Sequence, residues 1–219
     1  MMGLKKNLAG LFLGGLLAIA GQAQTASTGK LGEPIPGPFH PLVLNGELVD
    51  RYHCPLSDFG ARPIVLVMVR GTEVSDGWKA NLAALNTFEG RLHDVGMRAM
   101  VVFVDDSFKE PLALSSIDKR RDLQDKMKAL LGTAKDNPYP HIPVCLDSGD
   151  LLTRYPMPQG AEASILLVKG FRLAYRVDLN AGEGTADKFA EILKTAESKL
   201  IDKKLVPTPK PRLKPRIED

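Results

Sequence analysis

The sequence is poor in cysteine. Only Cys54 and Cys145 occur in 219 residues, and none lies between them. Two are too few for a disulfide framework, so an ordinary apolar core must hold the chain, with a single bridge permitted in an oxidising compartment. Aromatic residues make up 6%, and Trp78 is the one tryptophan. Apolar runs long enough for a membrane span are also missing, because the stretch Leu8 to Ala20 is too short to cross a bilayer comfortably. A large excess of charge of either sign is also missing. The net charge of +3 includes Lys5 and Lys6, and residues 202–219 carry six Lys/Arg against three acids. The body is thereby left at about −2, so a pI near 8.8 does not imply nucleic-acid binding, and no nucleic-acid partner is expected.

What is present is ordinary globular composition, 44% hydrophobic and 25% charged, in a length that suits one domain. Lys5-Lys6, the apolar stretch Leu8 to Ala20 and the small-residue sequence Gly21-Gln22-Ala23 have the order of a secretory signal peptide over residues 1–23. Export to the periplasm or the exterior, with no transmembrane span in the mature chain, is the expectation; an uncleaved anchor is the alternative. Residues 24–38, rich in glycine and proline, read as a flexible leader. The folded domain is expected over 39–201. Pro207, Pro209, Pro211 and Pro215 among lysines and arginines give a basic, disordered tail over 202–219.

Within the domain, Ile64-Val-Leu-Val-Met-Val69 is an unbroken apolar run, the pattern of a parallel strand buried on both faces. It predicts the central strand. Ahead of it, Asn45-Gly46 between apolar runs predicts a β-hairpin with a type I′ turn, and His53 to Arg62 reads as a loop or one helical turn with Ser57 and Asp58 as caps. Beyond it come a helix over Trp78 to Leu92, a strand over Met97 to Val104 and an amphipathic helix over Ser115 to Leu131. A short strand Ile142 to Leu146, a helical turn Asp150 to Tyr155, a tight hairpin with strands at Ser164 to Val168 and Arg172 to Leu179, and a helix Ala186 to Leu200 capped by Thr185 complete the domain. The alternation of strand and helix implies parallel strands joined by right-handed crossovers.

Three local sequences carry a resemblance. Leu44-Asn-Gly-Glu-Leu-Val with Leu56-Ser-Asp-Phe-Gly-Ala-Arg-Pro-Ile-Val-Leu-Val, then Ile142-Pro-Val-Cys-Leu-Asp, then Ser164-Ile-Leu-Leu-Val-Lys-Gly-Phe-Arg-Leu, stand in an order that resembles the thioredoxin-like superfamily, nearest its peroxiredoxin and thiol-disulfide oxidoreductase branch. The resemblance implies an α/β fold: a central mixed β-sheet with helices on both faces and an N-terminal β-hairpin. It also implies a reactive cysteine just after the central strand, but the chain has Thr72-Glu-Val-Ser75 there, a hydroxyl where the family's peroxidatic thiol would stand. The Cys-x-x-Cys alternative is absent. Glu162 falls near the slot where the family keeps a thiolate-stabilising arginine or a cis-proline; Pro158 is the nearest proline.

A serine hydroxyl is too basic to ionise at a helix N-terminus without an adjacent base, so Ser75 reads first as a helix N-cap. Thr72, Ser75 and Glu162 are thus positions of a degenerate site. The function expected is a non-catalytic binding or structural module, with no cofactor, no metal and an unidentified protein partner. The alternative is a thiol oxidoreductase using Cys54 or Cys145 at a displaced position, neither expected at a helix N-terminus. Metal carriage by His53-Cys54 with His141 and Cys145 rests on residue type alone. The carboxylate pairs Asp105-Asp106, Asp118 with Asp122, and Asp147 with Asp150 read as solvated charges.

Overall fold

The computed structural model describes residues 30–105, 117–118, 121–122, 125–127 and 137–201. The expected signal peptide and basic tail lie outside these residues, as does most of the helix expected over Ser115 to Leu131, whose described residues are helical with Met127 buried. Among the described residues no helix is long and apolar enough to cross a membrane.

The elements in order are β1 (Leu42–Val43), α1 (Pro55–Phe59), β2 (Ile64–Arg70), α2 (Asp76–Leu92), β3 (Arg98–Asp105), β4 (Val144–Ser148), α3 (Leu151–Arg154), β5 (Ala161–Lys169), β6 (Arg172–Asn180) and α4 (Ala186–Leu200). The strands form one mixed sheet in the order β1-β4-β3-β2-β5-β6. β2 is central as its unbroken apolar run requires: it runs parallel to β3, with Val67 opposite Val101, and antiparallel to β5, with Val67 opposite Ile165. β4 continues the parallel half beside β3.

Alternation along β2 feeds two cores. Val65, Val67 and Val69 face α2 and α4, where Leu82, Leu85, Phe189 and Ile192 cover them. Ile64, Leu66 and Met68 face the other way, under Leu56 of α1, Leu151 of α3 and Ile35 and Phe39 of the preceding stretch. Each such side chain contributes about 1.5–3 kcal/mol by leaving water, which makes this two-sided strand the structural centre of the chain. Thr185 caps α4 by accepting from Lys188 N at 3.3 Å.

Three expectations change. The reversal at Asn45-Gly46 survives as a reduced hairpin, with Val43 N donating to Arg51 O and Leu42 bridging Tyr52, but the turn is wider than two residues. Asn45 points inward instead: Oδ1 accepts from Val144 N at 2.7 Å, and Nδ2 donates to Ile142 O at 3.0 Å and Tyr139 O at 3.2 Å. The two-residue turn with both φ angles positive occurs at Gly170-Phe171 between β5 and β6, where φ is 58° and 62°. The second half of the leader is docked, not loose: Gly32 N donates to Leu173 O, Ile35 N to Phe171 O, and Tyr155 Oη to Gly37 O. Finally, α1 begins at Pro55, so Ser57 and Asp58 lie inside it and Cys54 stands at its N-cap. Proline at the first helical position sets that start, since its missing N–H costs the helix nothing there.

Candidate functional site

The degenerate site lies at the C-terminal end of β2. The strand ends at Arg70, and Gly71 turns the chain at φ 85° while its N–H donates to Val104 O at 2.7 Å. Thr72 is half-buried; Ser75 is exposed. Ser75 is the N-cap of α2, and the hydrogen bond on its Oγ among the described residues comes from Trp78 N at 3.3 Å. That bond uses the hydroxyl as an acceptor and supplies no base to take its proton.

Glu162, near the start of β5, completes the arrangement. One carboxylate oxygen accepts from Trp78 Nε1 at 2.5 Å and the other from Gly182 N at 3.1 Å. The indole is buried and meets Phe189 edge-on, ring centres 6.1 Å apart. Asn81, also buried, donates to Gly184 O at 2.8 Å beside the same indole. The slot that would hold an arginine facing a thiolate therefore holds an anion facing an indole N–H. A carboxylate there opposes any neighbouring thiolate, the reverse of what redox activation needs. Pro158 is exposed in the turn before β5, and no cis peptide occurs among the described residues.

Two cationic groups that sequence reasoning passed over flank this end. Arg70 Nε donates to Ala161 O at 3.3 Å; its sequence signal was a basic residue closing an apolar strand. Arg176 of β6 chelates Asp178 at 2.9 and 3.0 Å and donates to Pro156 O at 2.7 Å, while the fully buried Ser164 donates to the same carboxylate.

The thiols are elsewhere. Cys54 and Cys145 are both free and buried in the second core. Burial pushes the Cys145 thiol far above its ordinary range, and the nearby Asp147 carboxylate pushes it further. Cys54 sits at a helix N-terminus, contrary to expectation, although α1 has only five residues. Among the described residues those considered for metal carriage form no group of three or more that could hold a metal ion: His53 Nε2 lies 2.5 Å from Asp58, and His141 Nδ1 lies 4.0 Å from Glu89 of α2. Of the carboxylates read as solvated, Asp118 and Asp122 are exposed, but Asp147 is half-buried. Burial raises its pKa to about 6, against the opposing effect of the Ser148 N–H it accepts.

No family model and no curated protein matches the sequence. Solved structures do match. A yeast mitochondrial 1-Cys peroxiredoxin aligns at TM-score 0.52 and 11% identity over 77% of this chain and 75% of that one. Peroxidoxin BcpB from Mycobacterium tuberculosis aligns at 0.52 and 10%, over 79% and 99%. The mitochondrial 2-Cys peroxiredoxin of Plasmodium falciparum aligns at 0.51 and 12%, over 77% and 93%. The fold is thioredoxin-like. At such identities the likeness establishes the fold and leaves the activity to the site. In this thioredoxin-like chain Ser75, Trp78 and Glu162 are brought together at one end of the sheet, whereas Cys54 and Cys145 are sealed beneath its second face.

Proposed function

We propose that the chain is an exported thioredoxin-like domain that performs no redox catalysis at the end of β2 and serves as a binding or structural module. The observation that carries this reading is the Ser75–Trp78–Glu162 arrangement, in which the hydroxyl caps a helix and the carboxylate anchors an indole. Peroxide reduction requires a thiolate to attack the O–O bond, giving a sulfenic acid and releasing water, and disulfide reduction requires a thiolate attack on sulfur followed by a second thiol. A serine supports neither. Export rests on Lys5-Lys6, the apolar stretch and Gly21-Gln22-Ala23, and N-terminal sequencing of the mature protein tests it.

A second reading is favoured by one observation, Cys54 at the N-cap of α1: a thiol oxidoreductase working through displaced cysteines. Peroxide consumption and insulin-type disulfide reduction, run on the parent and on a Cys54→Ser/Cys145→Ser variant, separate the two. The binding-module reading expects no turnover in either protein. Turnover in the parent that disappears in the variant replaces it with the displaced-thiol enzyme.

A further inference from the structure

The end of the sheet opposite Ser75 gathers several parts of the chain. β5 runs antiparallel to β2 with Val168 opposite Ile64, so the Gly170-Phe171 turn stands beside residues 62–63, where the chain passes from α1 into β2. The leader arrives there too: Gly32 N donates to Leu173 O, Ile35 N to Phe171 O, and Arg172 Nη1 to Gly32 O at 2.8 Å. α2 ends on this side, and the last turns of α4 lie beside it, where Glu197 pairs with Arg91. Ile201 therefore hands over to residues 202–219, with their six Lys/Arg, at the same end.

Two large apolar side chains are left in solvent at this tip. Leu31 is 64% and Phe171 49% exposed. Phe171 also holds φ 62°, which strains a bulky side chain and suits glycine or asparagine, so the residue bears a backbone cost with little core contact in return. A Cβ on Gly32 or Gly170 would meet nothing within 4 Å, and the tip stands clear of the domain. Lys30, Arg62, Lys169 and Arg172 are exposed around it. Of the acids carried by these segments, Glu33 is half-buried, Asp58 faces His53, and Asp94 lies near the Arg98 guanidinium.

A protruding tip with apolar side chains inside a ring of cations matches a boundary that is anionic at its surface and apolar beneath. A peptide partner would need an open strand edge here, and beside Phe171 the leader already occupies the edge of β6. We propose that this end of the domain docks on a bilayer of acidic phospholipid, with Leu31 and Phe171 entering the headgroup boundary and Lys30, Lys169 and Arg172 meeting lipid phosphates. Both chain exits suit that orientation. Residues 21–29, which join the apolar stretch Leu8 to Ala20 to Lys30, reach at most about 30 Å when fully extended, and the basic residues 202–219 start from the same side. Docked this way, the domain turns Ser75, Trp78 and Glu162 away from the bilayer.

The test places a reporter at the tip, Phe171→Trp in the full chain, with vesicles of phosphatidylcholine alone or with about a third phosphatidylglycerol. Trp78 is buried near the opposite end and gives a constant background. Emission from position 171 is expected to move to the blue with the anionic vesicles, at lipid concentrations that rise with salt, and to stay unchanged with the neutral ones. In this background Lys169→Gln and Arg172→Gln should each raise the lipid needed for half the shift roughly fivefold, and Leu31→Ser at least about threefold. Lys188→Gln, exposed at the start of α4, should leave it unchanged. Replacing Lys210, Arg212, Lys214 and Arg216 by glutamine should move the shift to higher lipid and not remove it. No shift at about 1 mM anionic lipid, an equal shift with neutral vesicles, a shift abolished by the tail replacement, or one indifferent to all three tip variants overturns the proposal. Peroxide and disulfide assays on the same preparation bear on the redox reading and not on this one.

Discussion

The indole N–H of Trp78 donates to the Glu162 carboxylate at 2.5 Å, joining the first turn of α2 to the start of β5 across 84 positions of sequence. Trp78 is 3% exposed, so no water stands ready to replace a lost acceptor. Glu162→Ala should cost about 1–3 kcal/mol, the range for stranding a buried donor, whereas Glu162→Gln keeps an acceptor oxygen and should cost less. Urea unfolding followed by emission of the single tryptophan measures both. A loss below about 0.5 kcal/mol for Glu162→Ala would show that the link contributes nothing.

Asn45 is the second long-range anchor. Its side chain satisfies Val144 N and the carbonyls of Tyr139 and Ile142, all at buried positions, and so fixes the approach to β4. Asn45→Ala leaves three backbone groups to find new partners and should cost about 3 kcal/mol or more. Asn45→Asp keeps the acceptor but loses both donors, so it should also destabilise. A turn residue of the kind read from sequence would tolerate either change within about 0.5 kcal/mol, and denaturant midpoints decide between the two roles.

That contrast marks what was legible in the sequence. β2 announced itself because a strand buried on both faces has no polar positions, and α4 because Phe189, Ile192, Leu193, Ala196 and Leu200 recur at helical spacing behind a threonine cap. Signals whose meaning lay far along the chain were not readable. Asn45-Gly46 looks like a hairpin turn until Val144, 99 residues away, is seen to use the asparagine. Glu162 was readable as the lack of an arginine, but its tie to Trp78 needed the fold. The docked leader likewise depends on pairing with Arg172 and Leu173, and local composition holds no trace of it. The N-cap position of Cys54 is different, since Pro55 beside it was a usable local signal for a helix start.

Asp147 makes stability depend on pH. Burial raises its pKa from 3.8 to about 6 in the folded chain, so between those values the folded state holds a proton that the unfolded state has released. Unfolding then becomes easier as pH rises through this window. The stability contributed by the protonated group is full below 3.8 and lost above about 6. Asp147→Asn should therefore match the parent near pH 3.5 and exceed its stability by about 1 kcal/mol at pH 7.5, after allowance for solvent screening of a half-buried group. Urea midpoints at pH 3.5, 5 and 7.5 test the sign. A variant less stable than the parent at pH 7.5 would mean that the ionised carboxylate is a net stabiliser.

Gly90 and His141 form a pair whose cost and reason lie in different places. Glycine inside a helix such as α2 is about 1 kcal/mol worse than alanine. The position is nonetheless closed to alanine as the structure stands: a Cβ on Gly90 would lie 2.7 Å from His141 Cδ2 and 2.8 Å from Nε2. His141 is held at its backbone and approached at its ring. His141 N donates to Asn86 Oδ1 at 2.8 Å, and its Nδ1 lies 4.0 Å from Glu89 Oε2, a buried oxygen without a hydrogen bond among the described residues. Gly90→Ala alone must push the imidazole off the helix and away from Glu89, so the helix gain and the displacement oppose each other and the net change should be small or unfavourable. With His141→Ala in place the clash is gone, and the same Gly90→Ala change should stabilise by about 0.5–1 kcal/mol. The double-mutant cycle should thus give a coupling of about 0.5–1 kcal/mol or more, with NMR shifts of His141 reporting the ring's movement in the single variant. Gly90→Ala stabilising equally in both backgrounds would mean that the imidazole does not rest on the helix in solution.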